Sequence, residues 1–587
     1  MSACKILAGV DDFAKLRLGN YYYVDKTDFL LDFLSQQSVE VTLFTRPRRF
    51  GKTLFLSMLS EFFDIRKGDN HRLFAGLKIS ANEELCREWM NKYPVLSLSL
   101  KGVEKPTYAR TLTRLQQVIS DLCKLHRYLL TSEKVDPEDK EVLQKYLKQE
   151  ADEDELAHSL AVLSSALASH HGKPVIVLID EYDVPVASAA DKGFHDEMID
   201  FMRDFLGDVL KGNQALKFAI LTGCLRITRE SIFTGLNNLR CYGISDNKFV
   251  ETFGFTQAEV DTLLADAGLT ARREEIKAWY DGYCFGDNQE IYCPWSILNY
   301  VLDLQEKVVT SPQAYWLHSS ANAPVVHFLR KTTVRMDDEV AQLLAGKALV
   351  KSVNTSPTYA ELESSADNFW SLLYMTGYLT RVSKERLQEL SLHLNSYMDE
   401  MALVIPNEEI RKIFAKEVIT WFRNSVNASE TEALTSALWQ ADADRLAGKL
   451  EEILEQHVSC RDLAGAGSGH TVYENYHGLL TGYFLASYAE TYSNLEAGHG
   501  YYDIQVTDAA KGRGCIMEIK RAASETDDLA LLAEQGLRQI AEKKYDARLL
   551  ATPGISTILH WSFAFYKKSC QARALVVKQG QPSSANA

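Results

Sequence analysis

A polar segment between two apolar runs combines the residue types that bind phosphate. Residues 45–53 read Thr45-Arg46-Pro47-Arg48-Arg49-Phe50-Gly51-Lys52-Thr53. Strand-like residues 39–44 precede the segment, and the apolar run 54–59 after it predicts a buried helix. A turn between strand and helix presents backbone N–H groups to phosphate oxygens, the lysine reaches the terminal phosphates, and the threonine hydroxyl can hold magnesium. The segment therefore predicts a loop that binds Mg²⁺ and the phosphates of ATP.

The generic phosphate-loop pattern G-x-x-x-x-G-K-[ST] is incomplete, because Arg46 stands where the first glycine belongs. A second group of residues must therefore support the assignment. The aliphatic run 175–179 predicts a buried parallel strand, and Asp180 and Glu181 follow at its carboxyl edge, where open α/β sheets bind ligands. We expect Asp180 to hold magnesium directly or through water, and Glu181 to orient or deprotonate the attacking water. The alternative is a core strand that ends in a solvated acidic turn.

A third apolar run, residues 217–223, predicts another buried strand that ends near Thr222. We expect Thr222 to sense the γ-phosphate, and Arg226 or Arg229 to touch phosphate unless these arginines are solvated or salt-bridged. The loop arginines add positive charge near the phosphates, or alternatively face a partner. The candidate nucleotide-binding residues are Arg46, Arg48, Arg49, Phe50, Gly51, Lys52, Thr53, Asp180 and Thr222.

A second set of charged residues lies toward the other end of the chain, at Asp503, Glu518 and Lys520. Two strand-like runs joined by the turn 511–514 would bring Asp503 and Glu518 together, and Glu518 and Lys520 share a strand face. Two carboxylates bind Mg²⁺, with Mn²⁺ as an alternative, and the ammonium orients or helps to deprotonate water. These residues therefore predict metal-dependent phosphodiester cleavage, whereas the alternative is surface charge on a hairpin.

Residues on two flanking helices extend this second set. Glu474 precedes the strands on a predicted helix and can complete the metal shell as a third acid. Downstream, the predicted helix 537–545 places Gln539 and Lys543 on one face.

Composition limits the class of protein. With 587 residues, 46% of them hydrophobic, we expect two to four domains. Neither a run of about 18 apolar residues nor a signal-peptide pattern is present, which predicts a cytoplasmic protein with no membrane contact. The ten cysteines are scattered without a C-x-x-C pair, which fits a reducing compartment and argues against a structural zinc site. The net charge of −15 argues against coating nucleic acid through bulk charge, but it allows a local basic cleft.

Seven short motifs stand in an order that is typical of one family. They are Val24–Thr27, Arg46–Thr53, Ile179–Asp183, Ser231–Asn238, Phe253–Thr256, Trp279–Tyr283 and Pro294–Ser296. On these motifs the chain resembles, over nearly its full length, bacterial AAA-ATPase-like proteins that carry a C-terminal PD-(D/E)XK nuclease-superfamily domain. That family typically has Arg-Pro-Arg-Arg-Phe-Gly-Lys in its loop, so Arg46 departs only from the generic pattern.

The resemblance implies an α/β multidomain fold. We expect a P-loop NTPase-like parallel sheet with helices in residues 1–295 and a mainly helical connector, with a winged helix as the alternative, in 296–424. A restriction-endonuclease-like α/β domain is expected in 425–575, and a tail disordered by composition in 576–587. In such nuclease domains a Gln and a Tyr support the site, which points to Gln539 and Tyr545. The family usually has arginines where this chain has His499 and Tyr501. This difference affects the expected binding of the substrate and leaves the metal ligands in place.

Together these features predict an ATP-binding protein, expected to hydrolyse ATP, that regulates an attached Mg²⁺-dependent nuclease acting on DNA or RNA. The alternative is a non-cleaving nucleotide-dependent switch or scaffold whose C-terminal domain only binds nucleic acid or protein. The sequence leaves a homo-oligomer open.

Overall fold

A computed structural model describes most of the chain. The described residues are 4–36, 39–226, 231–233, 236–316, 337–344, 346–357, 366–414, 428–457, 476, 480, 484, 490–493, 496–497 and 500–578. The chain forms two compact units, which are unit 1 (Met1–Thr332 with Val350–Ile410) and unit 2 (Thr333–Leu349 with Arg411–Ala587). The finer boundaries at residues 295, 424 and 575 stay predictions.

The strands of the described residues are, in chain order, β1 Val41–Thr45, β2 Val95–Ser99, β3 Val175–Asp180, β4 Leu216–Gly223, β5 Leu239–Tyr242, β6 Tyr283–Phe285, β7 Asn288–Ile291, β8 Leu349–Ser352, β9 Thr380–Arg381, β10 Glu400–Val404, β11 Glu490–Ser493, β12 Glu496–Ala497, β13 Gly500–Tyr501, β14 Ile504–Asp508, β15 Arg513–Arg521, β16 Thr557–Tyr566 and β17 Ser569–Lys578.

The α-helices of the same residues are α1 Phe13–Leu18, α2 Asp28–Ser35, α3 Lys52–Phe63, α4 His71–Phe74, α5 Glu83–Trp89, α6 Tyr108–Leu125, α7 Pro137–Lys148, α8 Glu153–Ala157, α9 Ser159–His171, α10 Val184–Lys192, α11 His195–Leu210, α12 Gln257–Ala267, α13 Arg273–Tyr280, α14 Pro294–Gln305, α15 Asp337–Leu344, α16 Ala366–Thr376, α17 Lys384–Glu389, α18 Ala428–Gln440, α19 Ala443–His457, α20 Leu529–Lys543 and α21 Ala547–Leu550. Residues 408–414 are also helical. No helix in the described ranges is long and apolar enough to cross a membrane.

Within the described part of unit 1, five parallel strands form the central sheet in the order β2-β3-β4-β1-β5. Residues 175–179 of β3 are all completely buried, as expected for a parallel strand that helices cover on both faces. One face packs against α6, α7, α9 and α11 in a single apolar core. Aromatic side chains of α2 and α3 cover the other face, where Phe55 contacts both Phe29 and Phe44. The predicted parallel sheet with helices is confirmed.

The Val24–Thr27 motif fixes the N-terminal segment of unit 1. Lys26 forms an ion pair of 2.7 Å with Glu259 of α12 and donates to the carbonyl of Glu251 at 2.7 Å. The carboxylate of Asp25 accepts from the backbone N–H groups of Thr27 and Lys78, at 2.9 and 2.6 Å. Several of these contacts join segments that are far apart in sequence. The motif therefore stabilises the tertiary structure of unit 1.

The middle of the chain is mainly helical, as predicted, with a small sheet in the order β8-β10-β9 among its described residues. The winged-helix alternative stays a prediction. Glu409, on the helical segment 408–414, is buried and accepts from Ser296 Oγ at 2.7 Å and from the Trp316 backbone N–H at 2.9 Å. Burial raises the pKa of Glu409 to about 7. This carboxyl group ties the start of α14 to the segment around Trp316.

The described part of unit 2 contains a mixed sheet in the order β11-β14-β15-β16-β17, in which β15 and β16 are parallel and the other pairs antiparallel. Trp561 and Phe563 of β16 face an apolar core with α18 and α19. The alternate residue Ser562 meets α20 on the opposite face, as the two-residue period of a strand requires. The α20 face carries the charged candidates of β15 together with a second, smaller apolar cluster that includes Ile516, Ile558 and Ile540.

Candidate nucleotide and metal sites

Five of the nine predicted nucleotide residues line a cleft of about 400 Å³ in unit 1, namely Arg48, Arg49, Gly51, Lys52 and Thr53. The other four, Arg46, Phe50, Asp180 and Thr222, do not belong to its lining. The loops that follow β1, β2, β3 and β4 all contribute to its lining. Because these strands are parallel, their carboxyl ends meet at one edge of the sheet, which is where such sheets bind ligands. The volume falls within the range of small-molecule sites.

The phosphate-loop segment turns sharply into α3. Gly51 caps the helix with φ +87°, a left-handed conformation that glycine adopts without steric cost, and Arg49 also has a positive φ of 71°. The helix begins at Lys52, so its first N–H groups lie beside the cleft. Lys52 is largely buried, and its Nζ donates to the carbonyls of Arg46 and Pro47 at 2.9 Å each. The ammonium thus closes the loop on itself.

Asp180 is bonded on both sides by threonine hydroxyls. Thr53 Oγ1 donates to Asp180 Oδ2 at 2.7 Å, and Thr222 Oγ1 donates to Asp180 Oδ1 at 2.5 Å. The sheet order explains this arrangement, because β4 with Thr222 lies between β1 and β3. The Thr53 hydroxyl and the Asp180 carboxylate are adjacent hard oxygen donors, so the residues present fit a magnesium ion.

Two further acids follow Asp180. Glu181 lines the cleft with φ 55°, and burial together with the Asp180 charge raises its pKa. Asp183 accepts from the backbone N–H groups of Cys224 and Leu225, at 2.9 Å each. Asp183 therefore holds the loop after β4 against the cleft. The sequence gives no sign of this role, although Asp183 lies in the same motif as Asp180.

The side chains of the three loop arginines lie in different surroundings. Arg48 and Arg49 line the cleft, whereas Arg46 is completely buried. The Arg46 guanidinium donates to the carbonyls of Thr45 and Tyr242 at 2.9 Å and of Phe249 at 3.1 Å. Burial lowers the pKa of Arg46 to about 10.

Phe50 is also buried, and its ring packs against Tyr283 and Phe285 at centroid distances of 5.0 and 5.1 Å. Neither Phe50 nor Arg46 belongs to the cleft lining. Both side chains position the loop in this structure, and their contact with a nucleotide stays a prediction.

In unit 2, a hairpin brings Asp503 and Glu518 together. The pairing of Ile504 with Met517 places Asp503 beside Glu518, and Asp503 Oδ2 accepts from the Ile519 backbone N–H at 2.6 Å. Both carboxyl groups are buried. The charge of Asp503 and, above all, burial raise the pKa of Glu518 to about 7.

A hydrogen-bond network joins Glu518, Lys520 and α20. Lys520 Nζ donates to Glu518 Oε1 at 2.9 Å and to Gln539 Oε1 at 2.5 Å. Gln539 Nε2 in turn donates to Glu518 Oε1 at 2.6 Å and to the Tyr545 hydroxyl at 3.1 Å. Lys543 of the same helix is exposed.

The second oxygen of Glu518 indicates a metal site. Glu518 Oε2 is buried and has no hydrogen-bond partner among the described residues. An orphaned carboxylate oxygen next to a second carboxylate fits a divalent ion, which prefers hard oxygen ligands. The described ranges contain no group of three His, Cys, Asp or Glu side chains that could hold a metal. The predicted third acid, Glu474, lies outside the described residues, as does His499.

Gly536 lets α20 lie against β16. A Cβ atom at this position would be 2.0 Å from Ser562 Oγ and 3.0 Å from Ser562 Cβ. The close approach brings Gln539, one turn further along α20, onto Glu518 and Lys520. The role of Gly536 could not be recognised from the sequence, because a glycine inside a helix carries no signal of what faces it.

Residues 7–233 match the family model of predicted AAA-ATPases, and residues 473–574 match the PD-(D/E)XK nuclease superfamily. The chain thus contains a predicted AAA-ATPase domain and a PD-(D/E)XK nuclease-superfamily domain over these two ranges. The predicted resemblance is confirmed. The AAA-ATPase match contains Lys52, Asp180 and Thr222, and the nuclease-superfamily match contains Glu518 and Lys520.

The chain is also similar to a curated protein, the "Uncharacterized protein in vnfD 5'region" of Azotobacter chroococcum mcd 1. The two are 28% identical over 389 residues, which are 66% of each chain. The chain thus spans just under two-thirds of that relative's length. No solved structure matches the chain.

Replacing Arg46 of the AAA-ATPase domain by glycine restores the generic loop pattern, yet we expect it to destabilise unit 1. Three carbonyls lose a charged donor and a fully buried side chain is deleted, so the free energy of unfolding should fall by at least about 3 kcal/mol. Urea unfolding measures this. Arg46→Lys keeps the charge but not the several N–H donors of the guanidinium. Its free energy of unfolding should lie between those of the parent and Arg46→Gly. An Arg46→Gly protein as stable as the parent would show that the guanidinium is dispensable.

Proposed function

We propose that the AAA-ATPase domain binds and hydrolyses ATP with Mg²⁺, and that it regulates cleavage of nucleic-acid phosphodiesters by the nuclease-superfamily domain. The observation that carries the proposal is the buried Glu518, held by Lys520 and Gln539 on one oxygen and without a partner among the described residues on the other. A protein that only binds has no use for such an arrangement, because an unsatisfied buried carboxyl oxygen is costly.

In the nuclease domain, Asp503 and Glu518 would hold Mg²⁺ or Mn²⁺, with Glu474 as the predicted third ligand. A divalent ion at this position supplies positive charge to the phosphate and lowers the pKa of bound water. Lys520 is held between Glu518 Oε1 and Gln539 Oε1, so its remaining N–H is directed by two fixed partners. We assign it to orienting the attacking water and offsetting charge on the phosphate.

In the AAA-ATPase domain, the N-terminus of α3 and Lys52 would bind the phosphates of ATP. Thr53 and Asp180 would hold Mg²⁺, and Thr222 would report the state of the γ-phosphate to Asp180. Glu181 lines the cleft beside Asp180, which suits a residue that orients or deprotonates the attacking water. Arg48 and Arg49 add positive charge to the same cleft.

Regulation requires that ATP bind two conformations of the protein with different affinity. We propose that ATP binding or turnover at the cleft changes the rate of cleavage at Asp503, Glu518 and Lys520. DNA and RNA are both candidate substrates. A cytoplasmic location and a homo-oligomer stay predictions.

Cleavage assays on the purified chain test this proposal. Labelled single- and double-stranded DNA and RNA are incubated with Mg²⁺ or Mn²⁺, with and without ATP, and ATP binding is measured in parallel. We expect metal-dependent products whose rate changes with ATP. The Lys52→Ala protein should lose ATP binding and the ATP effect but keep the metal-dependent cut. If no substrate is cut under any condition, the nuclease assignment is lost.

A second candidate function is a nucleotide-dependent switch or scaffold whose C-terminal domain binds nucleic acid or protein without cleavage. The net charge of −15 and the presence of His499 and Tyr501 in place of the arginines usual in such proteins favour it. The same assay separates the two candidates, because the switch shows nucleotide-dependent binding of the labelled strand without products.

A further inference from the structure

The apolar end of the cleft contains an aromatic side chain to which no role has yet been assigned. Trp295, from the Pro294–Ser296 motif, lines the cleft together with Leu298 and Val10. Trp295 and Leu298 are three residues apart on α14, so they lie on the same helix face. This motif lies beyond residues 7–233, the range of the AAA-ATPase match.

The Trp295 indole is firmly positioned. Its Nε1 donates to the Tyr315 carbonyl at 3.1 Å. Its six-membered ring packs on Gly9, where an added Cβ would be 3.2 Å from Trp295 Cζ3. The next residue, Ser296, is bonded to the buried Glu409. An indole held in this way can offer a ring face to a ligand with little loss of side-chain entropy.

Arg49 of the phosphate loop covers the ring. Its guanidinium lies 4.0 Å from the centroid of Trp295, which is a cation–π contact. The backbone of Arg49 has a positive φ of 71°, a conformation rare for residues with a side chain, so the loop holds this arginine in place at some cost. The loop proposed to bind phosphate therefore also contacts an aromatic side chain of the cleft lining.

We propose that Trp295 is the platform for the purine base of the bound nucleotide, which takes the place of the Arg49 guanidinium on the ring. Two fused rings cover an indole well, and stacking needs no base-specific hydrogen bond. The displaced guanidinium stays within the phosphate loop, where the triphosphate charge attracts it. The other aromatic pair in the lining, Trp316 and Tyr378, is a poorer platform, because the two rings pack on each other at 5.0 Å and both are buried.

This inference rests on the proposed nucleotide binding, and one comparison separates the two. The dissociation constants of Mg–ATP and Mg–tripolyphosphate are measured by calorimetry on the full chain. The ratio of the tripolyphosphate constant to the ATP constant reports what the nucleoside contributes, since the phosphates are common to both. In Trp295→Ala this ratio should fall by about 5- to 150-fold, the worth of one stacked base.

Matched variants complete the design. Trp279→Ala removes a partly exposed tryptophan outside the cleft lining and should leave the ratio unchanged. Arg49→Ala should raise the ratio, because the competitor for the ring is gone. If Trp295→Ala loses tripolyphosphate binding as well, Trp295→Leu, which keeps apolar bulk against Gly9, is used instead and should show the lowered ratio.

The outcomes are distinct. A parental protein that binds neither compound overturns the proposed ATP binding and, with it, the platform. A parental protein that binds both, with an unchanged ratio in the Trp295 variants, overturns the platform alone. A ratio that falls in Arg49→Ala shows that the guanidinium clamps the base instead of yielding its place, and overturns the displacement.

Discussion

Replacing Lys520 by alanine is expected to abolish metal-dependent cleavage while leaving ATP binding intact. The ammonium donates to Glu518 Oε1 and Gln539 Oε1, so its loss removes the positive charge beside the metal ligands. Loss of a group that orients water and stabilises charge in the transition state costs about a hundredfold or more in rate. Initial rates at saturating Mg²⁺, together with the ATP dissociation constant, measure both halves of the expectation.

A second effect acts in the same direction. The Lys520 charge lowers the pKa of Glu518, which burial and Asp503 raise to about 7. Without the ammonium this pKa rises further, so the carboxylate that we propose as a metal ligand forms only at higher pH. The Mg²⁺ concentration needed for half-maximal metal binding should therefore increase most at low pH. Direct titration of Mg²⁺ at several pH values tests this without cleavage.

Lys543→Ala is the matched control for Lys520→Ala. Lys543 lies near the end of α20 and is exposed, so its loss removes the same charge without changing the network. We expect the parental cleavage rate from this variant. A Lys520→Ala protein that cuts at the parental rate would contradict the assignment of the nuclease site.

Replacing Gly536 by alanine is expected to lower both stability and cleavage. The added Cβ would stand 2.0 Å from Ser562 Oγ and 3.0 Å from Ser562 Cβ. Rotation of the hydroxyl relieves only the first contact, so we expect α20 to shift away from β16. Overpacking of this kind costs about 1–3 kcal/mol, which exceeds the roughly 1 kcal/mol that alanine gains over glycine in a helix. Gln539 moves with the helix and loses its contacts with Glu518 and Lys520. Urea unfolding and cleavage rates measure the two losses.

The chain offers a rescue of Gly536→Ala. Ser562 Oγ is buried with no hydrogen-bond partner in the described part of the chain, so its removal costs no hydrogen bond. Ser562→Gly deletes both atoms that the new methyl group would meet. The double variant Gly536→Ala/Ser562→Gly should therefore recover most of the lost cleavage. No recovery, or a Gly536→Ala protein that behaves like the parent, would show that the close approach does not position Gln539.

Much of the geometry of the candidate nucleotide site could be predicted, because a buried parallel strand is recognisable as an apolar run with polar residues at its end. Asp180 and Thr222 follow such runs, and the sheet order that puts β4 beside β3 makes them neighbours. The direction of Arg46 could not be predicted. Its guanidinium donates to the carbonyl of Tyr242, which is 196 residues away in the sequence. Only the folded chain therefore shows that this cation is buried beneath the loop.

The charged set of the nuclease domain could be predicted for a different reason. The two-residue period of a strand fixes which side chains share a face, and the turn between β14 and β15 fixes the pairing. That turn comprises residues 509–512, whereas the sequence predicted it at 511–514. The approach of α20 to β16 is another matter, because it depends on the shapes of Gly536 and Ser562 in two elements that no local pattern connects. The role of Glu474 falls outside the described residues and stays a prediction.

The orientation of the Gln539 amide bears on how the site would bind a metal ion. Its oxygen accepts from Lys520 and its nitrogen donates to Glu518 and Tyr545, so turning the amide over would set donor against donor and acceptor against acceptor. The ligand carboxylate is therefore held in one rotamer before any ion arrives. The entropic cost of ordering these side chains is therefore incurred when the domain folds. The main remaining cost of binding an ion would be the loss of the ion's own hydration shell.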